Sequence, residues 1–189
     1  MTYVPILTAR LLLDFWRPEY LPAMVAMNAD ALVMQHFLAP LSAAESAAQY
    51  ARLEASLAAR GFTFWPVIRR ADARFLGICG LKDGAPGTPI EGEMEIGWRF
   101  AREAWGQGYA TEAARAALAH GFGDPAVARI AAITTLANRP SWRVMERIGM
   151  TRATEEDFDH PMMPEGHVNQ RHITHYVSRA AFAAARGEG

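Results

Sequence analysis

Apolar and polar positions along the chain switch between two periods, and the switches mark the elements. A short apolar run from Thr8 to Phe15 predicts an opening strand. Pro18 to Asn28 then sets Leu21, Met24, Val25 and Asn28 at helical spacing, which predicts a helix. Ser42-Ala43-Ala44-Glu45 is a capping-box pattern, and the helix behind it carries Tyr50, Leu53 and Leu57 on one face before an expected stop at Arg60-Gly61. Three strands are expected over Phe62 to Arg69, Phe75 to Leu81 and Glu93 to Phe100, with Ala71-Asp72-Ala73 as the hairpin connection between the first two. The Gly- and Pro-rich stretch from Asp83 to Gly92 is expected as a loop. Beyond these, the pattern predicts an alanine-rich helix from Tyr109 to about Phe122, a buried strand from Arg129 to Leu136, a helix from Ser141 to Ile148 and a terminal hairpin. Interleaved strands and helices without an internal repeat imply an α/β fold with a mixed sheet.

Composition narrows the function. A chain of 189 residues suits one domain spanning 1–189, with enough length to bury a core. Hydrophobic content of 51% and charge of 21% are ordinary for a globular protein. A formal net charge of −1 argues against a general nucleic-acid binder, which would show a basic excess. No apolar run reaches bilayer-spanning length, and a start containing Pro5 and Arg10 does not read as a signal peptide, so a cytoplasmic enzyme without membrane partners is expected. The single cysteine excludes an internal disulfide, and Cys79, within Leu76-Gly77-Ile78-Cys79-Gly80-Leu81, reads as an inert buried thiol.

The most informative chemistry lies in Trp105-Gly106-Gln107-Gly108-Tyr109-Ala110-Thr111-Glu112-Ala113. Two glycines sit where a strand should end and a helix begin. A helix start there presents unpaired backbone N–H groups and the positive end of the helix dipole to an anion. No Lys-Ser or Lys-Thr follows and no third glycine completes a dinucleotide fingerprint, so neither of those phosphate loops fits. A plain strand-to-helix turn is the bland alternative. Farther along comes Asn138-Arg139-Pro140-Ser141-Trp142-Arg143-Val144-Met145-Glu146-Arg147-Ile148-Gly149-Met150.

With both segments in place the chain resembles the GNAT superfamily of acyl-CoA N-acyltransferases, and within it the RimJ/RimL-like branch. The glycine loop resembles that family's pyrophosphate-binding motif, Asn-x-x-Ser followed by a helix and Gly-Met its second cofactor motif, Glu95-Ile96-Gly97-Trp98 its fourth strand and Arg10-Leu11-Leu12-Leu13 its first. The common motif begins with Arg or Gln; here Trp105 takes that place. The resemblance implies a central mixed, mostly antiparallel sheet flanked by helices, with acetyl-CoA as acetyl donor. It also implies that the two helices before Gly61, and the loop between them, form the acceptor-side wall.

Acyl transfer to an amine requires a cradle for the cofactor, a polarised carbonyl, a neutral amine and a proton for the leaving thiolate. The cradle runs over Gln107, Gly108, Tyr109, Ala110 and Thr111. The resemblance further implies that the strand edge through Trp98 and Phe100 pairs with pantetheine amides, with the Phe100 N–H polarising the thioester carbonyl. A donor of that kind is worth about 3 kcal/mol. Deprotonating the amine at pH 7 costs about 4.6 kcal/mol for lysine but only about 1–1.4 kcal/mol for an α-amino group. Glu95 is the candidate base; its other reading is a strand glutamate that orders its neighbours or binds an ammonium, and Glu93 shares its face. Ser141 is the candidate donor to the thiolate, or else it caps or lines its helix start, which a serine beside Pro140 suits. Asn138 is the candidate cofactor contact through its amide, and Tyr176 is an alternative acid or else a core or cavity-lining tyrosine.

Four of the six histidines fall at His160, His167, His172 and His175. Their spacing matches no zinc pattern, so no metal is expected. A polar hairpin loop from Phe158 to His167, folding over the acceptor pocket, is the preferred reading. The expected activity is acetyl-CoA-dependent N-acetylation of a primary amine by direct attack in a ternary complex, the leading acceptor being a protein or peptide α-amino group. Small amines such as polyamines or aminoglycosides, and a non-catalytic acyl-CoA sensor, are the alternatives. Exposed edges near the final strands are compatible with a homodimer.

Overall fold

The computed structural model describes residues 4–186. Its elements in chain order are β1 (Ile6–Leu7), β2 (Leu11–Leu13), α1 (Leu21–Ala29), α2 (Ala43–Arg60), β3 (Phe64–Arg69), β4 (Arg74–Asp83), β5 (Met94–Phe100), α3 (Tyr109–Gly121), β6 (Arg129–Thr135), α4 (Arg139–Arg147), β7 (Thr151–Asp159), β8 (Arg171–Ser178) and α5 (Arg179–Arg186). The strands form an eight-stranded sheet in the order β1-β2-β3-β4-β5-β6-β8-β7. Most of its steps are antiparallel, and β5 runs parallel to β6. The chain forms two compact units, one up to Leu81 together with 97–117, the other 82–96 together with the chain from Leu118 onward.

In the first unit, β2 pairs with β3 and β3 with β4, the latter pair closed by the expected Ala71-Asp72-Ala73 turn. A core of Trp16, Met24, Met27, Val33, Ile68, Phe75 and Ile78 forms there, with Tyr50 and Leu53 of α2 packed against it. Each large apolar side chain so buried contributes roughly 1.5–3 kcal/mol. Trp16 and Tyr50 meet edge to face with centroids 5.2 Å apart, an arrangement suited to the aromatic quadrupole. The capping box forms as expected: the Ser42 hydroxyl accepts from the Glu45 N–H, and the Glu45 carboxylate accepts from the Ser42 N–H at 2.8 Å. Gly61, in the left-handed region, ends α2. Gly77 is required for a different reason. A Cβ there would overlap the Arg99 carbonyl, so β4 and β5 approach closely at this point.

The single opening strand expected over Thr8 to Phe15 is in fact two short strands. Thr8 turns the chain between them: its N–H donates to the Leu11 carbonyl, and its hydroxyl accepts from the Leu11 N–H, each at 2.9 Å. A hydroxyl that competes for backbone groups in this way favours a turn over a continuous strand. Arg10 lies in that turn. The helix expected from Pro18 begins with a 3-10 turn, Pro18–Tyr20, before α1.

In the second unit, β8 pairs along its whole length with β6 and forms the terminal hairpin with β7. The hairpin is followed by α5, which the sequence pattern did not bring out. Phe182 of α5 stacks on Phe122 at 5.2 Å, and the Arg179 guanidinium donates to the carbonyls of Phe122 and Val127 at 2.6 and 2.8 Å. Those bonds satisfy carbonyls past the end of α3 that would otherwise lack donors.

Candidate active site

The loop expected to cradle an anion lies in the first unit. Gly106 and Gly108 have φ of 72° and 79°, a region that side chains with a Cβ enter at a cost of about 1–2 kcal/mol. The first backbone bond of α3 runs from the Glu112 N–H to the Gly108 carbonyl. A helix that starts so leaves the N–H groups of Tyr109, Ala110 and Thr111 without intrahelical acceptors. The loop before it is pinned from both sides. Trp105 Nε1 donates to the Phe100 carbonyl at 2.8 Å, and Gln107 Nε2 donates to the Glu103 carbonyl at 2.6 Å. Trp105, the departure from the common motif, thus ties the loop to the end of β5.

Arg10 is the addition that the sequence reading missed. Its Nη1 donates to the Gln107 carbonyl at 3.0 Å, its guanidinium lies over the Tyr109 ring at 4.6 Å, and its Nε donates to Glu112 at 2.6 Å. Glu112 also accepts from the Thr8 hydroxyl at 2.6 Å and from the Arg10 N–H at 2.9 Å. A half-exposed cation is therefore held beside the glycine loop by a carboxylate one turn into the helix. Partial burial works to raise the Glu112 pKa, but the bonds from Thr8 and Arg10 outweigh it and hold the carboxyl below its ordinary value. The Thr8-x-Arg10 spacing at the opening turn was the available signal. Glu112→Ala should cost about 1–3 kcal/mol of stability at pH 7, from lost bonds to a charged acceptor. Because the folded pKa is the lower one, this contribution is present above the unfolded glutamate value and is lost as pH falls through the folded value; urea unfolding at pH 7 and in acid measures both.

At the end of β5, the Ala101 N–H donates to Leu76 of β4 at 2.9 Å. Alternation along the strand turns the N–H groups of Trp98 and Phe100 to the opposite edge. The register pairs of β5 with β6, Met94↔Ile130 and Glu95↔Ala131, lie at the other end of the strand. Arg99, between Trp98 and Phe100, donates to Asn28 Oδ1 at 2.6 Å and sits 4.2 Å from the centroid of the Phe37 ring.

The second unit holds the candidate acid and base groups. Glu95 is 6% exposed and ion-paired with Lys82. Burial pushes its pKa up against the opposing charge of Lys82. Glu93, its neighbour on the same face, pairs instead with Arg129 at 2.7 Å. Arg129 lies over the Tyr176 ring at 4.2 Å, and the Tyr176 hydroxyl donates to Glu156. Burial and the Glu156 carboxylate both raise the Tyr176 pKa, so the phenol stays protonated. Asn138 caps α4: its Oδ1 accepts from the Ser141 N–H at 3.3 Å while its Nδ2 donates to Thr134 Oγ1 at 3.0 Å. The cap is Asn138, which leaves the half-buried Ser141 hydroxyl without a hydrogen bond to any described residue. Of the histidines, His160 and His172 lie with ring centroids 4.8 Å apart and planes inclined at 49°, beside Phe158, and desolvation lowers the pKa of both. His175 is buried on β8, and His167 lies in the loop between β7 and β8.

This is the architecture of a cofactor-dependent acyltransferase family, and the comparisons agree. Residues 10–151 match the family described as Acetyltransferase (GNAT) domain, and the chain belongs to that family, whose members use acetyl-CoA. It is 42% identical over 92 residues to the protein YkkB of Bacillus subtilis, covering 48% of this chain and 51% of that one. It is 43% identical over 76 residues to the N-acetyltransferase YnaD of the same organism, covering 40% of this chain and 43% of that one. These matches thus span about half the length of the curated relatives. Among solved structures, a GNAT-family acetyltransferase from Bacillus anthracis superposes with a TM-score of 0.75 at 25% identity, over 93% of this chain and 98% of that one. The aminoglycoside acetyltransferase AAC(6')-Ib in complex with coenzyme A shares the fold, with a TM-score of 0.72 at 21% identity over 94% of this chain and 98% of that one.

Proposed function

We propose that this chain is an N-acetyltransferase of the RimJ/RimL-like branch that moves an acetyl group from acetyl-CoA to the α-amino group of a protein or peptide. The observation that carries the reading is the loop from Gly106 to Thr111, with two glycines at positive φ, a helix start and Arg10 held beside it. That arrangement fits a pyrophosphate, since it supplies N–H donors, the helix dipole and a cation together. Gln107, Gly108, Tyr109, Ala110 and Thr111 are the residues assigned to that group, and Trp98, Phe100, Asn138 and Ser141 to the pantetheine arm.

Acetyl-CoA, when bound, supplies the thioester. The Phe100 N–H, turned away from β4, is assigned to the thioester carbonyl, where a fixed donor lowers the barrier. Glu95 accepts a proton from the acceptor's ammonium and so frees the neutral amine to attack, a role that its burial favours because a carboxylate with a raised pKa is a stronger base. Ser141, with its hydroxyl uncommitted, donates to the departing sulfur. Attack is direct. Cys79 is fully buried and desolvation raises its thiol pKa, so it offers no thiolate to carry the acetyl group.

The test is acetyl-CoA-dependent thiol release across peptides with free N-termini, lysine peptides with blocked N-termini, polyamines and aminoglycosides. Turnover confined to the free N-termini is the expected result. Turnover confined to the small polyamines would move the acceptor to that class, and binding of acetyl-CoA with no turnover on any amine would favour the sensor reading.

A further inference from the structure

Three carboxylates that could meet a cationic acceptor are each paired with a cation of this chain. Glu95 pairs with Lys82, Glu93 with Arg129 and Asp30 with Arg102, each within its own unit. Arg99 is the opposite case. Its Nε is buried with no hydrogen-bond partner, and among the described residues no carboxylate lies within ion-pair distance of its guanidinium. Desolvation alone draws its pKa down to about 10. A half-buried cation whose Nε is shut away from solvent without a counter-charge is costly and calls for an anion or several acceptors.

Its surroundings form a built site. The Asn28 amide is fixed by donating to Ser46 Oγ and Gln49 Oε1, each at 3.1 Å, which leaves its Oδ1 facing Arg99 at 2.6 Å. Phe37 covers the guanidinium on another side, and Leu32, Phe37 and Leu38 are exposed apolar residues of the segment between α1 and α2. One neutral amide oxygen and one ring face are thus the only partners that the described residues give a group with five donors. A planar guanidinium left in this state is suited to a carboxylate, which it can meet with two parallel bonds.

We propose that Arg99 anchors the acceptor: the amine that is acetylated carries a carboxylate close to its nitrogen, and that carboxylate pairs with the Arg99 guanidinium. The inference rests on the acceptor-side reading above, in which α1 and the segment after it wall the amine site and Phe100, the next residue, serves the thioester. The carboxylate has two sources, a free α-carboxylate of an amino acid or the side chain of an acidic N-terminal residue. Polycations such as aminoglycosides are disfavoured under either.

The experiment compares kcat/KM within two pairs, aspartyl-alanyl-alanine amide against asparaginyl-alanyl-alanine amide, and alanine against alaninamide, in the unmodified protein, Arg99→Lys and Arg99→Met. The carboxylate-bearing member of one pair should lead by about tenfold or more, mainly through KM, since a site built for a polar group rejects the analogue that lacks it. Arg99→Met should erase that preference and Arg99→Lys keep part of it, with melting curves reporting that each variant is folded. Equal rates within both pairs, or a preference that survives Arg99→Met, would overturn the proposal. If no peptide turns over, the α-amino reading fails by itself, and equilibrium dialysis within two pairs, N-acetylalanine against N-acetylalaninamide and N-acetylaspartate α-amide against N-acetylasparagine amide, still decides the anchor: tighter binding of the acid in either pair that is lost in Arg99→Met supports it, equal binding within both pairs refutes it.

Discussion

Replacing Gly108 with Asp is expected to weaken acetyl-CoA binding by about 100-fold or more, which corresponds to about 2.7 kcal/mol. Two effects combine. Gly108 has a φ of 79°, so any Cβ meets backbone strain, although Asp tolerates this region better than most residues. The larger effect is the charge, placed among the N–H groups, the α3 dipole and Arg10 that the proposal assigns to the pyrophosphate. A Cβ at this position would lie 3.5 Å from an Arg10 guanidinium nitrogen, close enough for the new carboxylate to capture it. Gly108→Ala separates the two effects, since its Cβ makes only an ordinary contact and its penalty is conformational, about 1–2 kcal/mol. Isothermal titration with acetyl-CoA should therefore rank the unmodified protein first, Gly108→Ala next and Gly108→Asp last. Equal affinities for all three would refute the assignment of the loop.

Glu95→Gln should lower kcat by about 10²–10³-fold at pH 7 if the carboxylate is the base. Acetyl-CoA affinity should stay within a few fold, because the cradle residues are elsewhere in the chain. In the unmodified protein kcat should climb with pH along a limb displaced above the ordinary glutamate range, following the raised pKa. Stability carries the opposite signature. Glu95 holds its proton more tightly in the folded chain than in the unfolded one. Between the ordinary glutamate value and the raised folded value the unfolded chain therefore binds fewer protons, and stability falls as pH rises. Glu95→Gln should flatten that slope. A kcat–pH profile beside urea unfolding at matched pH separates the two roles, since a purely structural glutamate would alter the second and leave the first in place.

Local signals were legible in the sequence because they act over a few residues. The Ser42-x-x-Glu45 box, the stop at Gly61 and the loop of Gly106 and Gly108 each depend on dihedral preferences and bonds within a turn, and each stands where the pattern put it. What escaped depends on partners far along the chain. Lys82 meets Glu95 across two neighbouring strands, Arg10 meets Glu112 only after the fold brings the opening turn to α3, and Arg99 meets Asn28 and Phe37 from another element. No spacing rule encodes such pairs. The missed α5 is different: Phe182 among alanines and arginines was an amphipathic pattern in plain view, overshadowed by the hairpin before it. Asn138 took the cap that a serine beside proline suggested for Ser141, since an Asx side chain placed before the first turn reaches the open N–H group there.

The one cysteine of this chain has a practical corollary. Cys79 is sealed in β4, opposite Trp65 of β3. A disulfide dye added to the native protein should therefore report the sulfur released by turnover against almost no protein background. The same dye, in denaturant and without substrate, becomes a stopwatch for the opening of the sheet, with one colour event per chain.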